Sequence, residues 1–279
     1  MKAFIMIRDQ PHYRRDAFTS GLKRAGFQVI GGQPDRTKAG DVLTIWNRYG
    51  EYNQIASRFE RAGGTVFVAE NGYLGVDASG IQHYALAVHG HNGSGWWPTG
   101  EEKRFERLGI EPKPWRQGGD HIYVRGQRGI GAPNMANPPN WHRSIADLLR
   151  RRTSRPVRVM EHPGKPACDP AQAAHLSAAL AGAYACVVWS SASGVRALVE
   201  GIPVFYDAPH WVCAGAARRG IAMLEQPLMD GAARGAALER MAWAQWSVAE
   251  IATGEPFVRL LECDRAQRGP ETAAEVKTA

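Results

Sequence analysis

The sequence predicts an α/β protein of two Rossmann-like domains that face each other across a cleft. Three observations support this prediction. Short apolar runs alternate with helical patterns from the N-terminus onward, as expected for a parallel sheet covered by helices on both faces. A Gly- and Trp-rich stretch without periodicity, about residues 90–119, interrupts the alternation. The alternation begins again near residue 120, which predicts a second domain.

The first half contains four strand-like runs and two helical patterns. One helix begins at Asp16, places Phe18 and Leu22 on one face and ends at Gly26, a residue that favours a helix C-terminus. The second helix covers residues 51–62. The predicted strands are residues 3–7, 27–30, 42–46 and 65–69.

The second half repeats the pattern. Strands are predicted at residues 121–125, 157–161, 184–189 and 202–206. Helices are predicted at residues 141–152, 171–181, 193–200 and 236–252, the last of them amphipathic. The prediction is therefore a domain of residues 1–119, a domain of residues 120–262 and a flexible polar tail of residues 263–279.

The composition is that of a globular protein, since 44% of the 279 residues are hydrophobic and 22% are charged. No apolar run approaches the ~20 residues that span a bilayer, and the first residues lack the pattern of a signal peptide. We therefore expect a cytoplasmic protein without membrane insertion. The four cysteines have no paired spacing, which favours buried thiols over a metal or redox site.

The charge balance is basic, with a net charge of +7 and a pI of about 9.4. An excess of Lys and Arg attracts polyanions such as nucleic acid or phosphorylated ligands. A surplus of this size also serves solubility alone, so the charge does not decide between these interpretations.

Polar residues crowd the carboxyl ends of the predicted strands, where open α/β sheets bind ligands. In the first half these residues are Arg8, His12, Arg14, Arg15, Asn47, Arg48, Glu70, Asn71 and Tyr73. In the second half they are Gln127, Arg128, His162, Ser190, Ser191, Ser193 and Asp207. They fit a binding cleft, although the strand ends of a purely structural α/β protein are polar as well.

The clearest group lies in the second half. His162 and Pro163 follow one predicted strand, while residues 190–194 (Ser-Ser-Ala-Ser-Gly) end another and open a helix. Free N–H groups at a helix start, with hydroxyl donors and small residues, form an anion site. Taken separately, the serines also fit a simple N-cap and His162 fits a loop histidine. Their positions at successive strand ends favour one shared site.

These residues resemble the C-terminal halves of GT-B glycosyltransferases with a His-Pro motif and a serine motif, including bacterial sialyl- and Kdo-transferases of surface polysaccharide synthesis. The resemblance covers about residues 120–210, and residues 197–204 are similar to the Glu-Ala-Leu-x-x-Gly-x-Pro-Val phrase of those enzymes. The resemblance implies a GT-B-like fold and a nucleotide-sugar donor. A UDP-sugar is the favoured donor, and a CMP-sugar is the second option. Arg196 stands where many such enzymes have a ribose-binding Glu, so that contact is not implied. The implied donor-site residues are Gln127, Arg128, His162, Pro163, Ser190, Ser191, Ser193 and Gly194.

The first half resembles small glycosyltransferase-like proteins of tailed phages, through the phrases at residues 45–49, 69–73 and 90–95. Some of those proteins accompany enzymes that hydroxymethylate phage DNA. With the basic pI, the resemblance implies hydroxymethylated DNA, of the hydroxymethylcytosine type, as the acceptor, bound through its phosphates in the cytoplasm of a phage host. The acceptor-side residues are then Arg8, His12, Arg14, Arg15, Asn47 and Arg48.

Transfer to a hydroxyl group requires a stabilised leaving phosphate and, in an inverting enzyme, a base. Glu70 is the first candidate, because it ends an apolar strand where partial burial would make its carboxylate a better base. An equally good interpretation is an ion pair of Glu70 with Arg48 or Arg8. His91, in the Gly-rich loop, is the second candidate. Neither residue has to act as a base if transfer retains configuration.

The sequence lacks an Asp-x-Asp motif, and the GT-B resemblance implies catalysis without a metal. Residues 126–131 do not fit the G-x-G-x-x-G pattern of dinucleotide sites, so we predict no nicotinamide cofactor. Three alternatives remain beside the DNA glycosyltransferase. They are a surface-polysaccharide transferase of the Kdo or sialyl type, a nucleotide-sugar epimerase of GT-B shape, and a non-catalytic nucleic-acid-binding protein.

Overall fold

A computed structural model describes residues 1–9, 12–101, 103–162 and 170–268. Contacts among them divide the chain into two compact units. The first unit comprises Met1–Gly72, Gln82–Glu101 and the part of the chain that begins at Trp243. The second unit comprises Tyr73–Ile81 and residues 103–242. Each unit has a β-sheet and its own helices.

The elements follow the chain as strands and helices in near alternation. In chain order they are β1 (Lys2–Met6), α1 (His12–Arg24), β2 (Gln28–Gly31), β3 (Val42–Trp46), α2 (Gly50–Arg61), β4 (Thr65–Val76), β5 (Gln82–Val88), α3 (Arg104–Arg107), β6 (His121–Arg125), α4 (Trp141–Arg150), β7 (Val157–Met160), α5 (Pro170–Leu180), β8 (Ala183–Val188), α6 (Ala192–Val199), β9 (Val204–Tyr206), a 3-10 turn (Ala214–Ala216), β10 (Arg218–Arg219), α7 (Gly231–Ala242), β11 (Gln245–Ser247), α8 (Val248–Thr253) and α9 (Glu255–Arg268).

The first sheet has the strand order β11-β5-β4-β3-β1-β2 within the described residues. Strands β2, β1, β3 and β4 pair in parallel, whereas β11 pairs antiparallel with β5. The side chains of Phe4, Ile45 and Val68 are buried together with Ile55 and Phe59 of α2. Burial of these apolar side chains holds α2 against one face of the sheet, because each buried side chain contributes roughly 1.5–3 kcal/mol to stability.

The second sheet has the order β10-β9-β8-β6-β7, and its pairings are parallel. Its core on one face joins Val124 and Val187 of the sheet to Trp141, Ile145 and Leu149 of α4. The parallel arrangement brings the carboxyl ends of β6, β7, β8 and β9 to one edge. This edge carries the predicted donor-site residues that lie in the described part of the chain.

The structure confirms the α/β class and much of the predicted element order. Strands β3 and β6 have the predicted bounds, and most other elements agree within two residues. Helix α1 begins at His12, four residues before the predicted start. Strand β4 continues seven residues beyond its predicted end at Ala69, and β5 was not predicted. The prediction of buried thiols is confirmed for Cys186 and Cys213, whereas Cys263 is only partly buried. Cys168 lies outside the described residues.

The predicted helix of residues 236–252 is wrong. Helix α7 ends at Ala242, and β11 then pairs with β5 before α8 begins. Trp246 and Gln245 are almost completely buried in this strand. Ser247 starts α8 with a capping box, in which its side chain and that of Glu250 bond each other's backbone N–H. Pairing with a distant strand and a new N-cap therefore override a local helical pattern.

The division into units also differs from the predicted boundaries. The chain after Trp243 belongs to the first unit, where Phe257 of α9 packs against Phe18 and Phe67 with ring centroids 5.8 Å apart in each pair. Residues 263–268, predicted as the start of a flexible tail, continue α9. No helix among the described residues is long and apolar enough to cross a membrane.

Candidate donor and acceptor sites

Gln127 and Ser190 lie together at the carboxyl edge of the second sheet. They follow β6 and β8, which pair side by side. The Gln127 Nε2 group donates to Ser190 Oγ at 3.1 Å, and its Oε1 atom accepts from the Ser190 N–H at 3.1 Å. Ser190 is buried. Gln127 therefore fixes the turn that leads from β8 into α6.

Ser191 is the N-cap of α6. Its Oγ atom accepts from the Ser193 N–H at 3.2 Å, and its hydroxyl donates to Ser193 Oγ at 3.2 Å. The serines thus form the N-cap that was the alternative interpretation of this sequence. This N-cap holds the hydroxyls of Ser191 and Ser193, beside Ser190, at the positive end of the helix dipole. An anion that reached this point would meet hydroxyl donors within one helical turn.

Gly194 is required by the packing of α6. A Cβ atom at this position would lie 2.7 Å from Cζ2 of Trp211 and 3.2 Å from a methyl group of Val188. Contact of Gly194 with a donor therefore stays a prediction, since packing alone accounts for the glycine.

His162 follows β7 and is half-buried. Burial, followed by the positive charges of Arg128 and Arg125, lowers the pKa of His162 to about 4. The imidazole is therefore neutral at pH 7, in a surrounding of positive potential. Arg128 is exposed. Pro163, the other half of the predicted motif, lies outside the described residues.

Asn137 and Arg125 also belong to this edge and were not predicted. Asn137 is buried, and its Nδ2 group donates to the Gln127 carbonyl at 3.0 Å. No sequence pattern singles out Asn137, because it lies in the irregular loop before α4. Arg125 is the last residue of a strand predicted with the correct bounds. The strand-end rule applied to the other candidates would have identified it.

Glu70 and His91 lie together in the first unit. Glu70 comes directly after the parallel pairing of β4 with β3, which ends at Ala69, and its Oε1 atom accepts from the Asn92 N–H at 2.8 Å. His91 is 4% exposed, and its Nδ1 atom accepts from the Arg48 N–H at 3.4 Å. Burial lowers the pKa of His91; the nearby Glu70 carboxylate raises it and Arg48 lowers it further. The Glu70 carboxylate thus lies near enough to the neutral imidazole of His91 to influence its pKa.

Arg48 does not form the ion pair with Glu70 that the sequence left open. Its Nη1 and Nη2 atoms bind the Glu60 carboxylate at 2.5 and 2.8 Å. Nη1 also donates to the His89 carbonyl at 2.5 Å, and Nη2 donates to Ser57 at 3.1 Å. The guanidinium is thereby bound along α2, which gives Arg48 a structural role.

His89 extends this network. Its Nδ1 atom lies 2.6 Å from Glu60 Oε1, and its Nε2 atom lies 3.1 Å from Asp264 Oδ1 of α9. Burial disfavours the charged ring, but hydrogen bonds to Asp264 and Glu60 outweigh burial and raise the pKa of His89. Thr65 Oγ1 donates to the same Asp264 carboxylate at 2.7 Å. An open pocket in this unit is lined by Arg48, Glu60, His89 and Arg268.

The remaining predicted acceptor residues have different surroundings. Arg14 is 8% exposed, and its guanidinium carbon lies 3.9 Å from the centre of the Trp46 ring. Arg15 forms an ion pair with Asp9. Two further predicted residues differ in exposure: Arg8 is exposed, and Asn47 is partly buried with a φ of 58°. His12 is the first residue of α1, and its side chain lies outside the described part. A DNA-binding role for this set stays a prediction.

In the described part of the chain, no three or more His, Cys, Asp or Glu side chains are grouped so that they could hold a metal ion. Glu200 is the C-cap of α6. Its carboxylate binds Lys113 at 2.5 Å and Arg196 at 3.2 Å.

The sequence matches no protein-family model and no curated protein. Solved structures match the fold. The chain is similar to KpsC of Thermosulfurimonas dismutans, a beta Kdo 2,7 transferase, with a TM-score of 0.56 and 15% identity over 95% of this chain and 100% of that one. It is also similar to a beta Kdo 2,4 transferase KpsC of the same organism, with a TM-score of 0.52 and 13% identity over 88% and 90% of the two chains. The chain therefore has a GT-B-type fold.

Proposed function

We propose that this protein is a glycosyltransferase that moves a sugar from a nucleotide-sugar donor to a hydroxyl group. The observation that carries the proposal is the serine-rich start of α6, tied through Ser190 to Gln127 at the carboxyl edge of a parallel sheet. In a fold of the GT-B type, this edge offers hydroxyl groups and a helix N-terminus to a phosphate.

The second unit would bind the donor and stabilise its leaving phosphate. Ser191 and Ser193 would supply hydroxyl donors. Arg128 would supply a positive charge that stabilises the negative charge developing on the leaving phosphate. His162, whose pKa lies at about 4, contributes a neutral imidazole. Its contribution to donor binding should therefore not depend on pH between about 5 and 8.

The first unit would supply the acceptor side. Glu70 Oε1 accepts from the Asn92 N–H at 2.8 Å, which orients the carboxylate, and an ionised carboxylate is an acceptor-only group. In an inverting reaction, Glu70 would accept the proton of the attacking hydroxyl. His91, neutral and adjacent, is the second candidate. If the reaction retains configuration, neither residue is needed as a base.

A glycan is the acceptor that we favour, in a reaction of the Kdo-transferase type, because the two similar structures described above are Kdo transferases. Hydroxymethylated DNA is the second candidate, and the net charge of +7 favours it. The case for a DNA acceptor is weakened because three of the predicted DNA-binding arginines already have partners within the protein. Arg14, Arg15 and Arg48 contact Trp46, Asp9 and Glu60, respectively. The donor panel should contain CMP-Kdo as well as UDP-sugars.

The test begins with thermal unfolding in the presence of CMP-Kdo and of UDP-, CMP- and GDP-sugars. Labelled donors that stabilise the protein are then incubated with Kdo-containing oligosaccharides, with hydroxymethylated DNA, or with water alone. Label transferred to a glycan supports the proposal in its favoured form, and label in DNA nucleosides supports the second acceptor. Epimerised donor without transfer indicates the epimerase. If no donor stabilises the protein, the glycosyltransferase proposal is wrong.

DNA binding has its own test in the salt dependence of the affinity. Each phosphate that a Lys or Arg neutralises lowers log K by about 0.9 per unit of log salt concentration. Exposed Arg8→Gln should reduce the slope by about one unit if DNA is the acceptor, whereas Arg14→Gln, at a buried site, should not. Duplex binding that is absent at low salt, or indifferent to salt, would exclude the DNA acceptor.

A further inference from the structure

Arg125 is a half-buried cation with no acidic partner among the residues that the structure describes. It ends β6, where it pairs in register with Val188 of β8 and Met160 of β7. The hydrogen bond that its side chain makes runs from Nη1 to the Tyr123 hydroxyl at 3.4 Å, which is long for this type of bond. Among the described residues, no Asp or Glu carboxylate lies within 4.0 Å of Arg125.

The groups around Arg125 do not neutralise it. Burial raises the pKa of Tyr123 to about 12, so its phenol is uncharged at pH 7. Burial likewise raises the pKa of the Cys186 thiol to about 12. A partly buried charge without a counter-ion costs stability unless a ligand supplies the opposite charge.

Other arginines of the same unit have carboxylate partners, or, as Arg116 and Arg234 do, they donate to backbone carbonyls. Arg143 binds Glu161 at 2.5 Å, Arg150 binds Asp147 at 2.7 Å and Arg155 binds Glu225 at 2.9 Å. Arg125 has neither a carboxylate nor a carbonyl partner in the described part of the chain, and it lies at the strand edge that holds the serine-rich turn. Its charge also acts on His162, whose pKa it lowers.

We propose that Arg125 binds an anionic group of the donor, as the fixed positive charge of the site at the ends of β6, β7 and β8. The anionic group is a phosphate of the nucleotide or a carboxylate of the transferred sugar, since a guanidinium binds either with the same fork of N–H donors. This inference rests on the proposed function and adds a donor-binding residue to it.

The test compares Arg125→Gln and Arg125→Lys with the wild type and with Arg150→Gln, which removes an exposed, paired arginine of the same unit. Isothermal titration calorimetry measures the binding of CMP, UDP, free Kdo and CMP-Kdo. We expect Arg125→Gln to weaken binding of the ligand that carries the contacted anion by at least tenfold. Arg125→Lys should retain part of the affinity, and Arg150→Gln should retain all of it.

The ligands distinguish the two sources of the anion. Weaker binding of CMP and UDP to Arg125→Gln assigns the contact to the phosphate. Weaker binding of Kdo and CMP-Kdo, with CMP unchanged, assigns it to the carboxylate. Equal binding of every ligand by wild type and Arg125→Gln overturns the assignment of Arg125 alone. A wild type that binds none of these ligands overturns the role of Arg125, and it overturns the proposed function as well if no sugar nucleotide of the thermal-unfolding panel stabilises the protein.

Two further measurements separate ligand binding from a structural role. The melting temperature of Arg125→Gln should equal or exceed that of the wild type, because the variant loses an uncompensated charge. NMR titration should show the pKa of His162 rising from about 4 in Arg125→Gln, and no change in Arg150→Gln. A clear drop in melting temperature, or an unchanged His162 pKa, would contradict the proposal.

Discussion

Gln127 and Ser190 are joined by two hydrogen bonds of 3.1 Å, although they follow different strands and lie 63 residues apart. One amide side chain thus serves both the hydroxyl and the backbone N–H of the same serine. Because Ser190 is buried, its N–H has no access to water as a substitute partner. The start of α6 therefore depends on the loop that follows β6.

Gln127→Ala should destabilise the second unit and weaken donor binding together. Each hydrogen bond contributes about 0.5–1.5 kcal/mol, so the loss of both should lower the free energy of unfolding by roughly 1–3 kcal/mol. Urea denaturation measures this change. Gln117→Ala is the matched control, because Gln117 is exposed and its side chain makes one long bond of 3.4 Å. Wild-type stability in Gln127→Ala would show that the pair is weak in solution.

The double change His162→Ala and Ser193→Ala should abolish nucleotide-sugar binding in a folded protein. His162 is half-buried outside the core, and the Ser193 hydroxyl bonds only its neighbour Ser191 in the described part. Calorimetry measures the donor affinity, and circular dichroism checks the fold. His175→Ala with Ser177→Ala on the exposed face of α5 is the control. An unchanged donor affinity in the folded double variant would remove both residues from the donor site.

Local sequence patterns predicted the helices and strands in which buried apolar residues recur at regular, short intervals along the chain. Strands β3 and β6 are apolar runs, and their bounds were predicted correctly. Strand β11 was missed because its three residues become a strand only by pairing with β5, about 160 residues earlier in the chain. The pairing of His89 with Asp264 spans 175 residues, and no local pattern carries such information. The strand-end rule placed His162 and the serines correctly, just after β7 and β8. It was wrong for Glu70, which lies inside β4 because that strand continues to Val76. The rule could not identify the partners of these residues.

The His89 network predicts a stability that decreases as pH rises. The pKa of His89 is raised, so its contribution is complete below about pH 6.5, the ordinary value for histidine. It is lost as pH rises through the raised pKa. Thermal unfolding between pH 6 and 9 should therefore show a falling melting temperature in the wild type. His89→Gln should flatten this part of the profile, whereas exposed His210→Gln should not.

The carboxylates of the same network act at acidic pH. The pKa of Glu60 is lowered because hydrogen bonds from His89 and Arg48 outweigh the effect of burial, and that of Asp264 is lowered in the same way by His89, Thr65 and Arg268. Their contribution is present above the ordinary carboxyl pKa values and is lost as pH falls through the lowered ones. His89→Gln should cost between the ~1 kcal/mol of exposed ion pairs and the ~3–5 kcal/mol of buried ones. If the stability of His89→Gln depends on pH in the same way as that of the wild type, His89 is not charged in the native protein.

Glu70→Gln is the most demanding test of the catalytic proposal. The amide oxygen of Gln can still accept the Asn92 N–H bond that Glu70 makes at 2.8 Å, so the loop and the fold should be retained. The amide cannot accept a proton from the acceptor, and in an inverting enzyme turnover should fall by ~10²–10⁴ while donor affinity is unchanged. Exposed Glu51→Gln in the first turn of α2 is the control. Near-normal turnover in Glu70→Gln, followed by a large loss in His91→Asn, would transfer the role of base to His91. Normal turnover in both variants would show that neither residue is the base, as expected for a reaction that retains configuration.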